Sequence, residues 1–115
     1  MKIKEQKDVD VLKSRDSDGN TCLIIAAIKS NIKIAKIFLV HSELIDAKNN
    51  YGIDAISISI YNNDNLMFFL LANNLNSNLQ NVLFLCKIAI RIENYEILEY
   101  LTKRLSDVKF FYFSF

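Results

Sequence analysis

The chain is predicted to be all-α, a solenoid of short helix–turn–helix units laid side by side. Three observations predict this. Gly19 and Gly52 are the only glycines, and they stand 33 residues apart. A shift by that period puts apolar on apolar (Leu23 on Ile56, Ile34 on Met67, Ile37 on Leu70) and cap on cap (Thr21 on Asp54, Asn31 on Asp64). A third copy follows at a shift of 63, where Ala89–Ile97 matches Ala26–Ile34, about three residues short of two full periods. A fixed internal period of this size is the mark of a repeat architecture.

Composition agrees with one well-packed domain over residues 1–115. Apolar residues make up 51% of the chain and charged residues 23%, enough for a core and too apolar for disorder. The net charge of +1 is spread along the chain, which argues against nucleic acid and anionic membranes as partners. Proline is absent, and with two glycines there is no glycine-rich linker or phosphate-cradling loop. Ile, Asn and Lys stand where Val, Ala and Arg often serve, a bias of A+T-rich coding sequence. The segment MKIKEQKDVD is too charged for a signal peptide, and no run reaches the roughly 18 apolar residues of a spanning helix. Cys22 and Cys86 lie in apolar helical surroundings and read as reduced core thiols. A cytoplasmic location is expected.

In chain order, residues 1–15 are expected to form an N-terminal partial repeat or cap, with the charged stretch Met1 to Lys7 as its polar end. The first unit, 16–48, opens on Asp16-Ser17-Asp18-Gly19-Asn20. Glycine there permits a positive φ, and the short polar side chains bond back to the local backbone. Thr21 then caps an inner helix over about Thr21–Lys29, and an outer helix follows over about Ile32–Val40. Ile34, Ile37 and Phe38 supply its apolar stripe. The second unit, 49–80, repeats the layout with helices over Asp54–Tyr61 and Asn65–Ala72. The third, 81–105, lacks a turn glycine. It is expected to run from Leu75–Gln80 directly into helices over Val82–Ile92 and Tyr95–Arg104. Residues 106–115 leave the pattern, with four Phe and one Tyr among the last six. This aromatic tail either folds back over the open edge of the third unit or docks onto a second copy, a partner or a membrane surface.

Asp16-x-x-Gly19-Asn20-Thr21-x-Leu23-x-x-Ala26-Ala27, with Ile34 and Ile37-Phe38-Leu39 behind it, resembles an ankyrin repeat. Ile45-Asp46-Ala47-Lys48-Asn49 before Gly52 resembles the lead into the next. The likeness extends over roughly Val9 to Lys109 and implies about three divergent repeats with short β-hairpin-like turns. The threonine-proline-leucine-histidine run of the family appears here as Thr21-Cys22-Leu23-Ile24, Asp54-Ala55-Ile56-Ser57 and Phe84-Leu85-Cys86-Lys87. The glycine between paired helices is replaced by Ser30, Asn63 and Glu93. A less stable array than consensus repeats form is therefore expected.

Chemistry is expected to be absent. Asp16-x-Asp18-Gly19 faintly resembles a calcium loop, but its first and twelfth ligand positions would be Ser14 and Ile25, so no bound metal is expected. His41 stands alone, without a ligand at metal spacing or a nucleophile held beside it. Glu93, Glu96 and Glu99 read as a solvated helix face. No cofactor and no enzymatic activity are expected.

The resemblance implies a scaffold that binds another protein through the concave face made by inner helices and turn tips. On this reading partner contact comes from Ser17, Asp18, Asn20, Ile28 and Lys29 in the first unit. In the second it comes from Asn50, Tyr51, Ile53, Tyr61 and Asn62, and in the third from Arg91 and Ile92. Tyr51, Tyr61 and Arg91 carry most weight, because Tyr and Arg dominate interface hot spots. Two alternatives stay open: an adaptor module of an intracellular parasite or virus acting in a host, and a structural piece that forms homodimers through the aromatic tail.

Overall fold

The computed structural model describes residues 11–75 and 78–113, with side chains described as far as residue 106. After helical residues 11–13 come three antiparallel helix pairs. The first is α1 (Cys22–Ile28) with α2 (Ile32–Phe38), followed by a single turn, α3 (Ser42–Ile45). The second is α4 (Ala55–Tyr61) with α5 (Asn65–Ala72), and the third is α6 (Leu79–Ile92) with α7 (Tyr95–Phe113). Inner helix α4 packs between α1 and α6, and outer helix α5 packs on α7. No strand occurs among the described residues.

Capping explains where the helices begin. Thr21 Oγ1 accepts from the Ile24 N–H at 3.2 Å, and Asp54 Oδ1 accepts from Ser57 at 3.0 Å. On the outer helices Asn31, Asp64 and Asn94 do the same for Ile34, Met67 and Ile97. Each supplies an acceptor for an N–H that the helix leaves unpaired. The turn within each pair is made by one left-handed residue: Ser30 (φ 54°), Asn63 (φ 55°) and Glu93 (φ 61°). These are the three positions where the repeat pattern expects glycine. A non-glycine residue there costs about 1–2 kcal/mol, less for asparagine.

The core is the sum of positions that recur. Leu23, Ile56 and Cys86 are buried, as are Ala26, Ser59 and Ala89, where small side chains let neighbouring inner helices approach. On the outer side Phe68, Phe69 and Tyr100 form a three-ring edge-to-face cluster with centroids 5.1–5.7 Å apart, joining α5 to α7. Such pairs contribute about 0.5–1.5 kcal/mol each beyond their burial. The Arg104 guanidinium lies over the Tyr100 ring and donates to the Leu75 carbonyl.

Several expectations need correction. The third inner helix begins at Leu79, because Asn78 caps it with an acceptor for the Asn81 N–H and nothing in Leu79–Val82 breaks a helix. The short helix α3 was not foreseen; it carries Leu44 into the core. Ile34 and Ile37 do not form the buried stripe of α2, being 40% and 64% exposed; Ala35 is its buried residue, flanked by half-buried Ile32, Phe38 and Leu39. Met67 and Ile97, the equivalents of Ile34, are fully buried, and each has a described unit on its N-terminal side. The tail does not turn back over the third unit, since α7 continues as one helix of 19 residues to Phe113. The side chains of its aromatic residues and the N-terminal cap at 1–10 lie outside what is described.

Candidate partner-binding surface

The surface is built first from the two turn tips. Asp16 Oδ1 accepts from the N–H groups of Asp18 and Asn20, and Asn49 Oδ1, one period on, accepts from Tyr51 and Ile53. Each turn is closed by a backbone bond to its glycine, Gly19 to the Asp16 carbonyl and Gly52 to the Asn49 carbonyl. The bonds from Asn20 hold the Asp16 carboxyl below its ordinary value.

The second turn stacks directly on the first. The Asn50 N–H donates to the Asp18 carbonyl at 3.0 Å, and the Asn50 amide donates to the Ser17 carbonyl. The Tyr51 hydroxyl donates to Asp18 Oδ1 at 3.1 Å, which raises the tyrosine's pKa. Arg15 Nη1 donates to both the Gly19 and the Lys48 carbonyls, at 2.8 and 2.7 Å. The contact is close enough that a Cβ on Gly19 would strike the Asn50 side chain and lie 2.9 Å from its backbone nitrogen. The tips therefore form one braced ridge.

The inner helices add a stripe beside that ridge. Ile28, Tyr61 and Arg91 occupy one repeat position on α1, α4 and α6, and all three are exposed. Lys29 and Asn62 are exposed next to them, with the Asn62 amide reaching the Ile28 carbonyl. Ser17, Asp18, Asn50 and Tyr51 are exposed on the tips, Tyr51 at 70%. Thus the structure leaves nine of the twelve residues named from sequence exposed along the tips and inner helices, with Ile53 and Ile92 half-buried and Asn20 buried. Ile53 is half-buried, and its backbone closes the second turn. Ile92 is half-buried and packs against the core.

Asn20 requires a correction. It is only 6% exposed, and its amide is committed at both ends, donating to Asp16 Oδ2 and accepting from the Asn49 amide at 2.9 Å. Its position ties the turns together and offers nothing to a partner.

Lys48 and Phe84 are two further surface residues that the repeat pattern does not single out. Both line an open groove of about 510 Å³ between the second turn and the start of α6. Phe84 stands where Thr21 stands in the first unit, and an aromatic side chain at a capping position was the available signal. No group of three or more metal-binding side chains occurs among the described residues, and no described helix is long and apolar enough to cross a membrane. Cys86 is buried, and burial pushes its thiol up from the ordinary value; Cys22 lies half-buried with its thiol on the Val11 carbonyl.

A stack of two-helix units with projecting turns, presenting a ridge and a stripe of repeated positions, defines the class: a helical repeat solenoid. The model of the family described as ankyrin repeats, in three copies, matches residues 2–81. The chain belongs to the ankyrin repeat family. Ankyrin repeats are in general protein–protein interaction modules and typically non-catalytic. The match ends at the start of α6, so the pair α6–α7 is the part of the stack furthest from the family pattern. Comparison with curated proteins and with solved structures gives no match.

Proposed function

We propose that the protein is a non-catalytic scaffold that binds a partner protein along the turn tips and the exposed stripe of the inner helices. The observation that supports this best is the recurrence of exposure at Ile28, Tyr61 and Arg91, one residue per inner helix at the same repeat position. An apolar, an aromatic and a guanidinium side chain on adjacent, mutually packed helices make a preorganised surface. A partner binding to it loses little conformational freedom in the scaffold, so modest contacts suffice.

The contact residues on this reading are Ser17, Asp18, Asn50 and Tyr51 on the tips with Ile28, Lys29, Tyr61, Asn62 and Arg91 on the stripe, and Ile92 at its margin. Tyr51 and Tyr61 provide large area at small entropic cost, and Arg91 makes no hydrogen bond or ion pair with a described residue, leaving its donors for a partner.

Affinity capture with the immobilised protein tests the surface. The wild type is compared with Ile28→Asp plus Arg91→Ala on the stripe, and with Leu66→Ser on the exposed opposite side. The proposal expects the captured protein to be lost with the stripe variant and retained with Leu66→Ser. Loss with Leu66→Ser alone would move the surface to the outer helices.

A further inference from the structure

The turn stack ends early. The first turn offers its neighbour four groups: the carbonyls of Ser17 and Asp18, the Asp18 carboxylate and the Arg15 guanidinium, and the second turn uses all of them. One period on, the corresponding backbone groups are the carbonyls of Asn50 and Tyr51, and the corresponding cation is Lys48. Neither carbonyl accepts from a described residue, and the Lys48 ammonium donates to none. Among the described residues no third turn takes them up, because residues 79–84, at the place in the third unit where the first has its turn, are already helix.

Beside these groups lies the groove of about 510 Å³, lined by Asp46, Lys48, Gly52 and Asp54 on the turn side and by Gln80 and Phe84 on the α6 side; Asn50 and Tyr51 do not line it but belong to the same turn, between Lys48 and Gly52. Phe84 is 44% exposed into it, next to polar groups on both walls. An unpaired row of backbone acceptors with a defined spacing is a template for another chain, and main-chain bonds supply the affinity when one docks.

We propose that this groove is a docking site for a polar reverse turn presented by a partner protein, which stacks on the second turn as the second stacks on the first. The register dictates the chemistry of the occupant. It places one backbone N–H and one side-chain amide on the Tyr51 and Asn50 carbonyls, and one carbonyl on the Lys48 ammonium. An apolar residue flanking the turn covers Phe84. The inference rests on the protein-binding reading, but its site is separate from the stripe formed by Ile28, Tyr61 and Arg91.

The probe is a cyclised peptide with the sequence of residues 48–54, Lys-Asn-Asn-Tyr-Gly-Ile-Asp, which is the turn already shown to fit such an edge. It is titrated to about 1 mM against the full chain labelled with nitrogen-15, the range in which one short segment binds. The proposal expects saturable amide shifts at Lys48, Gly52 and Phe84, and a dissociation constant raised about tenfold by Lys48→Ala plus Phe84→Ala. Tyr61→Ala should leave the titration unchanged. Absence of shifts, shifts confined to the stripe, or equal shifts from a scrambled cyclic peptide would each overturn it. So would a dimer in light scattering that Lys48→Ala plus Phe84→Ala returns to a monomer. Because the readouts are different amides, a failed groove titration leaves the stripe variants of the capture experiment to be judged on their own.

Discussion

The Tyr51 hydroxyl donates to the carboxylate of Asp18, 3.1 Å away and 33 residues earlier in the chain. The pair joins the two turn tips side chain to side chain, beside the backbone bond from Asn50 to the Asp18 carbonyl. The bond to Asp18, reinforced by the carboxylate's negative charge, raises the phenol above its ordinary value of 10.0. A folded value above the unfolded one means that the stabilisation is complete below pH 10.0 and is lost as pH rises through the folded value. The wild type should therefore lose melting temperature more steeply than Tyr51→Phe as pH rises above about 10, since the phenylalanine keeps the ring but has no proton to lose. Parallel curves for the two proteins would show that the tip bond contributes nothing.

Gly19 and Gly52 share a left-handed backbone, with φ of 80° and 74°, but have unlike neighbours. Nothing lies within 4 Å of a Cβ built on Gly52, whereas one built on Gly19 meets Asn50. Gly52→Ala should cost about 1–2 kcal/mol, the conformational penalty alone. Gly19→Ala should cost roughly 1–3 kcal/mol more, because the turns must separate. Urea denaturation measures both, and equal costs would mean that the turns are not stacked.

Glu93 takes the left-handed position that closes the third pair without the tolerance asparagine has there. Glu93→Gly should stabilise the protein by about 1 kcal/mol, and Glu93→Ala by close to nothing. Asn63→Gly should not stabilise, because Asn63 Oδ1 accepts from the Asn94 amide at 2.7 Å and that bond is lost. Melting temperatures of the three variants check the order.

Asp64 and Asn94 cap equivalent helices, but only one is fully satisfied. The Asn94 amide donates to Asn63 and Asn65, while Asp64 Oδ2 is buried without a partner among the described residues. An orphaned buried acceptor costs about 1–3 kcal/mol. Asp64→Ser keeps a capping oxygen and removes the orphaned one, and should stabilise by roughly 0.5–1.5 kcal/mol in urea denaturation. A loss of stability would show that the second oxygen has a partner in solution.

These residues also show how far the sequence could be read. The period was legible because the helix caps, the glycines and the small residues at Ala26 and Ala89 are local requirements that each unit must meet for itself. The start of α6 is not legible in this way, because Leu75–Gln80 lacks the turn glycine of the other units and Asn78 caps the helix at a place where the repeat pattern has no cap. Burial that depends on a neighbouring unit was also out of reach. Ile34 repeats the chemistry of Met67 and Ile97, yet it is 40% exposed where they are fully buried. Asn20 reads as a contact residue from its place at a turn tip, while its partner Asn49 lies 29 residues away and only stacking brings the two together. The tip residues and the stripe are implied by the resemblance to ankyrin repeats, and the 33-residue period carries those positions from one unit to the next.

The most direct test of the binding surface is the affinity of Tyr51→Ala plus Tyr61→Ala for the protein captured by the wild type, measured calorimetrically at matched fold content. Loss of more than ~2 kcal/mol is predicted, since the two rings are the largest exposed anchors on the tips and the stripe. Affinity equal to that of the wild type, with the helical signal intact, would contradict the assignment of this face.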